Sequence, residues 1–135
     1  MHVEPYLCFN GRCEEALDFY RDALGAEVTM LMRFKDSPEP HECQPAGTED
    51  KVMHATVKIG ESTIMASDGR CEGPLNFEGI SLSIGVSDVA QAKQYFEALS
   101  QGGEVQMPLV KTFWSPGFGM VADRFGVSWM INVVE

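Results

Sequence analysis

The two halves of the chain repeat each other at an offset of about 76 residues. Ala16 and Ala92 stand 76 positions apart, and the aromatic pairs Phe19-Tyr20 and Tyr95-Phe96 keep that offset. One residue is then inserted, because Gly-Ala-Glu-Val at 25–28 matches Gly-Gly-Glu-Val at 102–105. A single long repeat predicts a duplicated half-domain, whereas periods of about 20–50 residues would predict a solenoid.

Hydrophobic periodicity predicts one β-α-β-β-β unit in each half. Gly25 is a natural C-cap for the first helix, and Ser87 or Asp88 can N-cap the second. The first unit has predicted strands 3–9, 26–34, 51–59 and 63–67 around a helix at 12–24; the second has strands 80–86, 104–110, 118–122 and 127–133 around a helix at 89–101. We therefore expect an α+β fold, a single domain of two tandem modules (about 1–70 and 77–135). One helix cannot cover both faces of a four-stranded sheet, so the two halves should pair and leave a concave pocket between them.

The last predicted hairpin shows how the strand faces should divide. Asp123 can bond the backbone ahead of it and Gly126 tolerates positive φ, so the four residues 123–126 predict a turn. We expect the strongly apolar faces to pack under the helices and the mixed faces to line the pocket. The predicted core includes Ile80, Leu82, Ile84, Trp129, Ile131 and Val133. The predicted pocket face includes Leu7, Phe9, Thr63, Met65, Ser67, Ser81, Ser83, Ser128, Met130 and Asn132.

Composition excludes several classes of partner. With 20 acidic and 10 basic residues the net charge is −10, which disfavours binding to nucleic acid or to an anionic membrane. No apolar run reaches the ~20 residues of a membrane span, and the N-terminus has no signal-peptide pattern, so the expected compartment is the cytoplasm. The four cysteines have irregular spacings and are predicted to be free thiols.

Several local motifs resemble one branch of a known superfamily. They are Pro5-Tyr6-Leu7, Glu15-Ala16-Leu17-x-Phe19-Tyr20, Lys51-Val52-Met53-His54-Ala55, Ile64-Met65-Ala66-Ser67-Asp68, Thr112-Phe113-Trp114 and Asp123-Arg124-Phe125-Gly126-Val127-x-Trp129. Together with the repeat they resemble the PhnB-like branch, often labelled demethylubiquinone-methyltransferase-like, of the vicinal oxygen chelate superfamily. That superfamily includes glyoxalase I, extradiol dioxygenases and bleomycin-resistance proteins. The resemblance implies a curved mixed sheet around a concave pocket, with the helices on the convex side. It also implies a homodimer. The sequence shows no glycine-rich nucleotide loop of the kind that an S-adenosylmethionine enzyme usually needs.

Enzymes of the superfamily typically hold a divalent ion with four His or Glu side chains. By the resemblance, the matching positions here are Pro5 or Tyr6, Met65, Ser81 and Met130, which are poor ligands for a hard cation. We therefore predict no metal and no cofactor. The alternative is a metal-dependent lyase, isomerase or dioxygenase with a displaced site around His2 or His54. The triplet His41-Glu42-Cys43 could bind adventitious metal in a predicted exposed loop over 35–50.

The mixed strand faces predict a small-molecule site. Its candidate residues are His54, Met65, Ser67, Ser81, Trp114, Met130 and Asn132. Trp114 and Phe113 could form a lid to which Gly117 and Gly119 give freedom, or they could be dimer contacts. The function that we expect is metal-independent binding of a small molecule. A structural or interaction domain without a ligand is a third hypothesis.

Overall fold

The structure, a computed structural model, describes residues 1–37 and 47–134. The chain divides into two compact units, Met1–Leu75 and Asn76–Glu135. Each unit has one α-helix and one four-stranded mixed sheet, which confirms the α+β class and the two tandem modules. That the modules form a single domain, and that the sheet curves around a concave pocket, remain predictions.

The first unit follows the predicted element order. It consists of β1 (Tyr6–Cys8), α1 (Cys13–Leu24), β2 (Glu27–Arg33), β3 (Val52–Ile59) and β4 (Ser62–Ser67), with a short 3-10 turn at Phe34–Asp36. The strand order is β1-β4-β3-β2, in which β1 runs parallel to β4 and the other neighbours are antiparallel. Gly25 ends α1 with a left-handed φ of 68°, as predicted.

The second unit repeats this arrangement. It consists of β5 (Leu82–Val86), α2 (Val89–Ser100), β6 (Glu104–Val110), β7 (Phe118–Ala122) and β8 (Ser128–Val133). The strand order β5-β8-β7-β6 matches that of the first sheet, with β5 parallel to β8. Asp88 is the N-cap of α2, because its side chain accepts a hydrogen bond from Ala90 N–H.

The first core contradicts part of the predicted pocket face. Leu7 and Phe9 were expected to line the pocket, but only 1% and 0% of their surfaces are exposed. The parallel register pairs Leu7 with Ala66, which is fully buried, and Tyr6 with Met65, which is not. Alternation alone separates the two faces of β1 but does not show which face meets the helix, and the pairing with β4 decides it.

The second core confirms half of its predicted members. Trp129, Ile131 and Val133 are each at most 3% exposed. Leu82 and Ile84 are only partly buried. Ile80 precedes β5 and is 56% exposed, so its assignment to the core was wrong. The alternating pattern at 80–86 continues beyond the hydrogen-bonded strand, and burial requires a neighbouring strand as well as an apolar side chain.

Two buried aspartates fix the loops of the two units. Asp123 accepts hydrogen bonds from the N–H groups of Phe125 and Val127, which confirms the predicted turn, and also from Nε1–H of Trp129 at 2.9 Å. In the first unit, Asp68 accepts three backbone N–H bonds, from residues 11, 13 and 52. Buried carboxylates of this kind stabilise a fold strongly because each hydrogen bond is charge-assisted.

Candidate functional site

The helix-free face of the second sheet carries two of the candidate residues of that unit, Met130 and Asn132. We define this face as Ser83, Gly85, Phe118, Met120, Ser128, Met130 and Asn132. These side chains alternate with the buried residues that face α2. Gly119 marks the opposite side, because a Cβ built on it would lie 2.8 Å from Cε2 of Phe96 on α2.

Asn132 is the most unusual residue on this face. It pairs with Phe118 on β7 and with Gly85 on β5. Its side-chain oxygen Oδ1 is buried and has no hydrogen-bond partner within residues 1–37 and 47–134. Buried polar atoms in folded proteins almost always have a partner, so this acceptor is open to a donor from a water molecule or a ligand.

Methionines form a row across the same face. The register aligns Met107 with Met120, Met120 with Met130, and Met130 with Ser83. All three methionines are partly exposed. The candidate Ser81 lies just before β5 and is exposed, so Ser83 is the residue that stands beside Met130. Flexible thioethers next to an orphaned acceptor make an adaptable apolar wall with one polar anchor.

Trp114 lies next to this face through an aromatic contact. Its ring meets that of Phe118 edge-on, with centroids 5.5 Å apart, and it is 53% exposed. Phe113 packs edge-on against Trp114 at 4.8 Å and is almost fully exposed. The aromatic pair therefore extends the helix-free face toward the solvent, and its role as a lid or as a dimer contact stays a prediction.

The loop that carries Trp114 is held more firmly than its glycines suggest. Ser115 Oγ donates to the carbonyl of Val133 at 2.7 Å and accepts from Gly117 N–H. A Cβ on Gly117 would lie 3.2 Å from Val133, and Gly119 is even more tightly enclosed within β7. The expectation that these glycines give the loop freedom was wrong, because neighbouring residues pack closely against both positions and leave little room for a side chain.

In the first unit, His54 is placed by a residue that the sequence analysis did not select. The hydroxyl of Tyr6 lies 3.1 Å from Nδ1 of His54, and the ring centroids are 5.6 Å apart. Met65 pairs with both Tyr6 and Thr56, so these residues share the helix-free face of the first sheet. The internal repeat could have pointed to Tyr6, because it stands 77 residues before Ser83, the neighbour of Met130.

Ser67 has a local structural partner. It is 4% exposed, and its Oγ accepts a hydrogen bond from Gly69 N–H at 3.1 Å. The thiol of Cys8 lies 3.9 Å from the same oxygen. Ser67 therefore fixes the chain after β4, and its hydroxyl is the least accessible of the candidate polar groups in this unit.

The side chains at the metal positions implied by the resemblance do not fit a hard divalent cation. In the first sheet Tyr6 pairs with Met65. In the second sheet the residue that pairs with Met130 is Ser83, whereas the resemblance pointed to Ser81, which lies before β5. Thioethers and neutral hydroxyls are weak ligands for such ions. Within the described residues, no group of three or more His, Cys, Asp or Glu side chains is arranged to hold a metal. The triplet at 41–43 lies outside the described residues, and His2 is exposed ahead of β1.

A charged cleft of about 390 Å³ opens elsewhere in the first unit, and the sequence analysis did not anticipate it. Arg33 binds the Glu14 carboxylate with both terminal nitrogens and lowers the pKa of that carboxylate through the hydrogen bond. Lys35 binds Asp50 at 2.8 Å and lowers its pKa in the same way. Each of these charges is therefore paired within the cleft, and the ion pair between Glu14 and Arg33 links α1 to β2.

Of the described cysteines, Cys13 is the most buried. It is 0% exposed at the start of α1, and burial raises the pKa of its thiol far above the ordinary value, with Asp68 contributing. A thiol that stays protonated is a poor nucleophile. Cys8, in contrast, is exposed. Cys13 is therefore a free thiol, as predicted, and packs in the core like a small hydrophobic residue.

The family model described as 3-demethylubiquinone-9 3-methyltransferase matches residues 1–132. The chain belongs to this family, the PhnB-like branch of the glyoxalase superfamily. The resemblance stated from the motifs is thereby confirmed, and the duplicated sheets are those of the superfamily fold.

Relatives of this PhnB-like chain span its whole length. Protein YjdN from Escherichia coli strain K12 is 37% identical, over 100% of this chain and 97% of the relative. Protein PA1353 from Pseudomonas aeruginosa is 43% identical with a TM-score of 0.85, covering 98% of this chain and 97% of that one. The PhnB protein from Bacillus cereus is 28% identical with a TM-score of 0.82, covering 99% and 100%. Within the described residues, neither helix has the length and apolarity that a membrane span requires.

Proposed function

We propose that this PhnB-like protein binds a small organic molecule, without a metal ion, on the helix-free face of its second sheet. The observation that carries the proposal is the buried Oδ1 of Asn132, which lacks a partner in the described part of the chain. Leaving a buried acceptor unpaired costs about 1–3 kcal/mol. A ligand with an N–H or O–H donor would supply the missing hydrogen bond.

The surroundings of Asn132 define the body of the ligand. Met130 and Met120 flank it along the sheet, and thioethers make favourable contacts with aromatic rings. Phe118 and the exposed Trp114 add aromatic surface at one end. The face therefore suits a flat, largely apolar molecule with one hydrogen-bond donor. Ser83 stands beside Met130 on the parallel edge strand, and Ser81 lies just before that strand; we expect their hydroxyls to contact polar substituents of the ligand.

The first unit carries candidate residues for small-molecule binding on its own sheet. His54 and Met65 lie on the helix-free face of the first sheet, where an imidazole and a thioether offer one polar and one apolar contact. Ser67 is assigned a supporting role because its hydroxyl is bonded to Gly69.

Two other readings of the family are less well supported. Within the described residues, His54 belongs to no group of three or more His, Cys, Asp or Glu side chains that could form a displaced metal site, and its Nδ1 faces the Tyr6 hydroxyl. The family name states a methyl transfer, but each sheet described is a mixed four-stranded sheet, whereas nucleotide-type cofactors usually bind at the switch point of a doubly wound parallel sheet. The compartment expected for the protein is the cytoplasm, and the expected assembly is a homodimer, which light scattering after size exclusion would test.

The test locates binding on the intact chain. Protein labelled with ¹³C in the methionine methyl groups is titrated with indole, a flat apolar probe with one N–H donor. We expect the signals of Met120 and Met130 to shift in a saturable way, with Met1 as an internal control. Shifts confined to methionines outside the helix-free faces, or no saturable shift up to the solubility limit of indole, would contradict the proposal.

A further inference from the structure

The pair formed by Tyr6 and His54 determines which hydrogen bond the imidazole can offer. The Tyr6 hydroxyl lies 3.1 Å from Nδ1, and the two rings are tilted by 37° with centroids 5.6 Å apart. The other ring nitrogen, Nε2, has no hydrogen-bond partner within the described residues. His54 is partly exposed on a sheet face that carries no helix.

The chemistry of the two groups sets the direction of their hydrogen bond. A phenol is a stronger donor than a neutral imidazole N–H, and an imidazole nitrogen is a stronger acceptor than a phenol oxygen. In a neutral pair the Tyr6 O–H therefore donates to Nδ1, which leaves the ring proton of His54 on Nε2. If the imidazole becomes protonated, Nδ1–H donates to the Tyr6 oxygen instead, and Nε2 still carries its proton.

We propose that Tyr6 is a positioning residue that keeps Nε2 of His54 as a permanent hydrogen-bond donor for a carbonyl-bearing ligand on the first sheet. This inference rests on the proposed function for the participation of His54, and it goes further by assigning the role of Tyr6 and the chemistry of the bound group. Because Nε2 carries a proton in both charge states, its N–H donates a hydrogen bond to the ligand. Nε2 therefore does not act as a base toward the ligand.

A neutral carbonyl oxygen fits the site better than a carboxylate. The chain carries a net charge of −10, so an anion would approach against long-range repulsion. Met65 lies beside Tyr6 on the face and gives an apolar contact for the body of the ligand. The ligand class is thus a neutral carbonyl compound with an apolar body.

The tautomer is tested without any ligand. Two-dimensional ¹⁵N NMR of the ring nitrogens, recorded at alkaline pH where imidazoles are neutral, is compared for wild type, Tyr6→Phe and Thr56→Val. Tyr6→Phe keeps the ring contact and removes only the hydroxyl, whereas Thr56→Val removes a neighbouring hydroxyl that does not bond to His54. We expect a single Nε2–H tautomer in wild type and Thr56→Val, and a tautomer mixture in Tyr6→Phe. A wild-type proton on Nδ1, or the same spectrum in Tyr6→Phe, would overturn the inference.

The ligand class is tested with a matched pair of probes. Acetophenone has a carbonyl oxygen and ethylbenzene has nearly the same shape without one, and both are followed at the His54 ring and the Met65 methyl group. We expect saturable shifts with acetophenone only, weakened about fivefold in His54→Ala, as expected for one lost hydrogen bond. This inference is defeated if acetophenone and ethylbenzene bind equally well. It is also defeated if acetophenone does not bind while indole binds the second sheet. Either result leaves the proposed function standing. Failure of both probes on both sheets defeats the proposed function itself.

Discussion

Asn132 on β8 stands directly across from Phe118 on β7, and its side-chain oxygen is buried without a partner in residues 1–37 and 47–134. An aromatic ring beside an unsatisfied acceptor is a poor arrangement for stability alone. The same arrangement suits the proposed ligand site, because functional sites in natural proteins often contain locally unfavourable interactions that the rest of the fold offsets.

Replacing Asn132 with leucine should separate stability from binding. The substitution removes the orphaned acceptor, so the free energy of unfolding in urea should stay the same or rise by about 1 kcal/mol. Ser115→Ala serves as the control, because its buried hydroxyl is bonded to Val133 and its loss should lower the free energy of unfolding by about 1 kcal/mol. A clear loss of stability in Asn132→Leu would show that the amide is a structural group.

Gly85 offers a way to block the site without disturbing the core. It pairs with Asn132, its φ lies outside the left-handed region, and a Cβ built on it meets nothing within 4 Å. Gly85→Leu should leave thermal stability unchanged or slightly higher and abolish indole binding. Gly119→Ala is the contrasting variant, since its Cβ would lie 2.9 Å from Leu109 Cα and should cost about 1–3 kcal/mol in urea unfolding. Full binding by Gly85→Leu would place the ligand elsewhere.

Asp68 should be among the most stabilising polar residues of the first unit. Removing its carboxylate in Asp68→Ala leaves three backbone N–H groups unpaired, two of them buried and one partly buried, and should cost about 3–5 kcal/mol in urea unfolding. Asp50→Ala is the matched control, because its exposed bond to Lys35 is worth ~0–1 kcal/mol. Similar losses in the two variants would contradict this account of Asp68.

The buried thiol of Cys13 predicts a loss of stability at alkaline pH. Its pKa is raised by burial, so the folded protein keeps a proton that the unfolded chain releases above about pH 8.5. Because the folded state then binds more protons, the free energy of unfolding should fall as the pH rises from about 8.5 to 10. Cys13→Ala should reduce this slope, while Cys8→Ala, which removes an exposed thiol, should leave it unchanged. An unchanged slope in Cys13→Ala would rule out this contribution.

Within the described residues, the sequence predicted the order and type of both α-helices and of all eight strands, because the repeat and the periodicity agree in both halves. It also predicted the turn at Asp123 and the core role of Trp129. It misplaced Leu7 and Ile80, since the face and the end of a strand depend on which neighbour it pairs with.

The candidate site was predictable in part. Met130 and Asn132 follow from alternation along β8, but the contact of Tyr6 with His54 joins strands 48 residues apart and leaves no local signal. The missing partner of Asn132 is likewise a property of the packed chain. Gly117 shows the opposite problem, because a glycine that looks flexible in the sequence is enclosed by Val133.

Binding of a matched pair of probes to wild type and to Asn132→Leu tests the central claim most directly. Indole can donate its N–H to Asn132 Oδ1, whereas N-methylindole has the same ring system without the donor. Dissociation constants from the Met130 methyl signal should favour indole by about fivefold in wild type, and this preference should disappear in Asn132→Leu. Equal affinity of the two probes for wild type, or a preference that survives in Asn132→Leu, would contradict the assignment of Asn132 as the polar anchor of a small-molecule site.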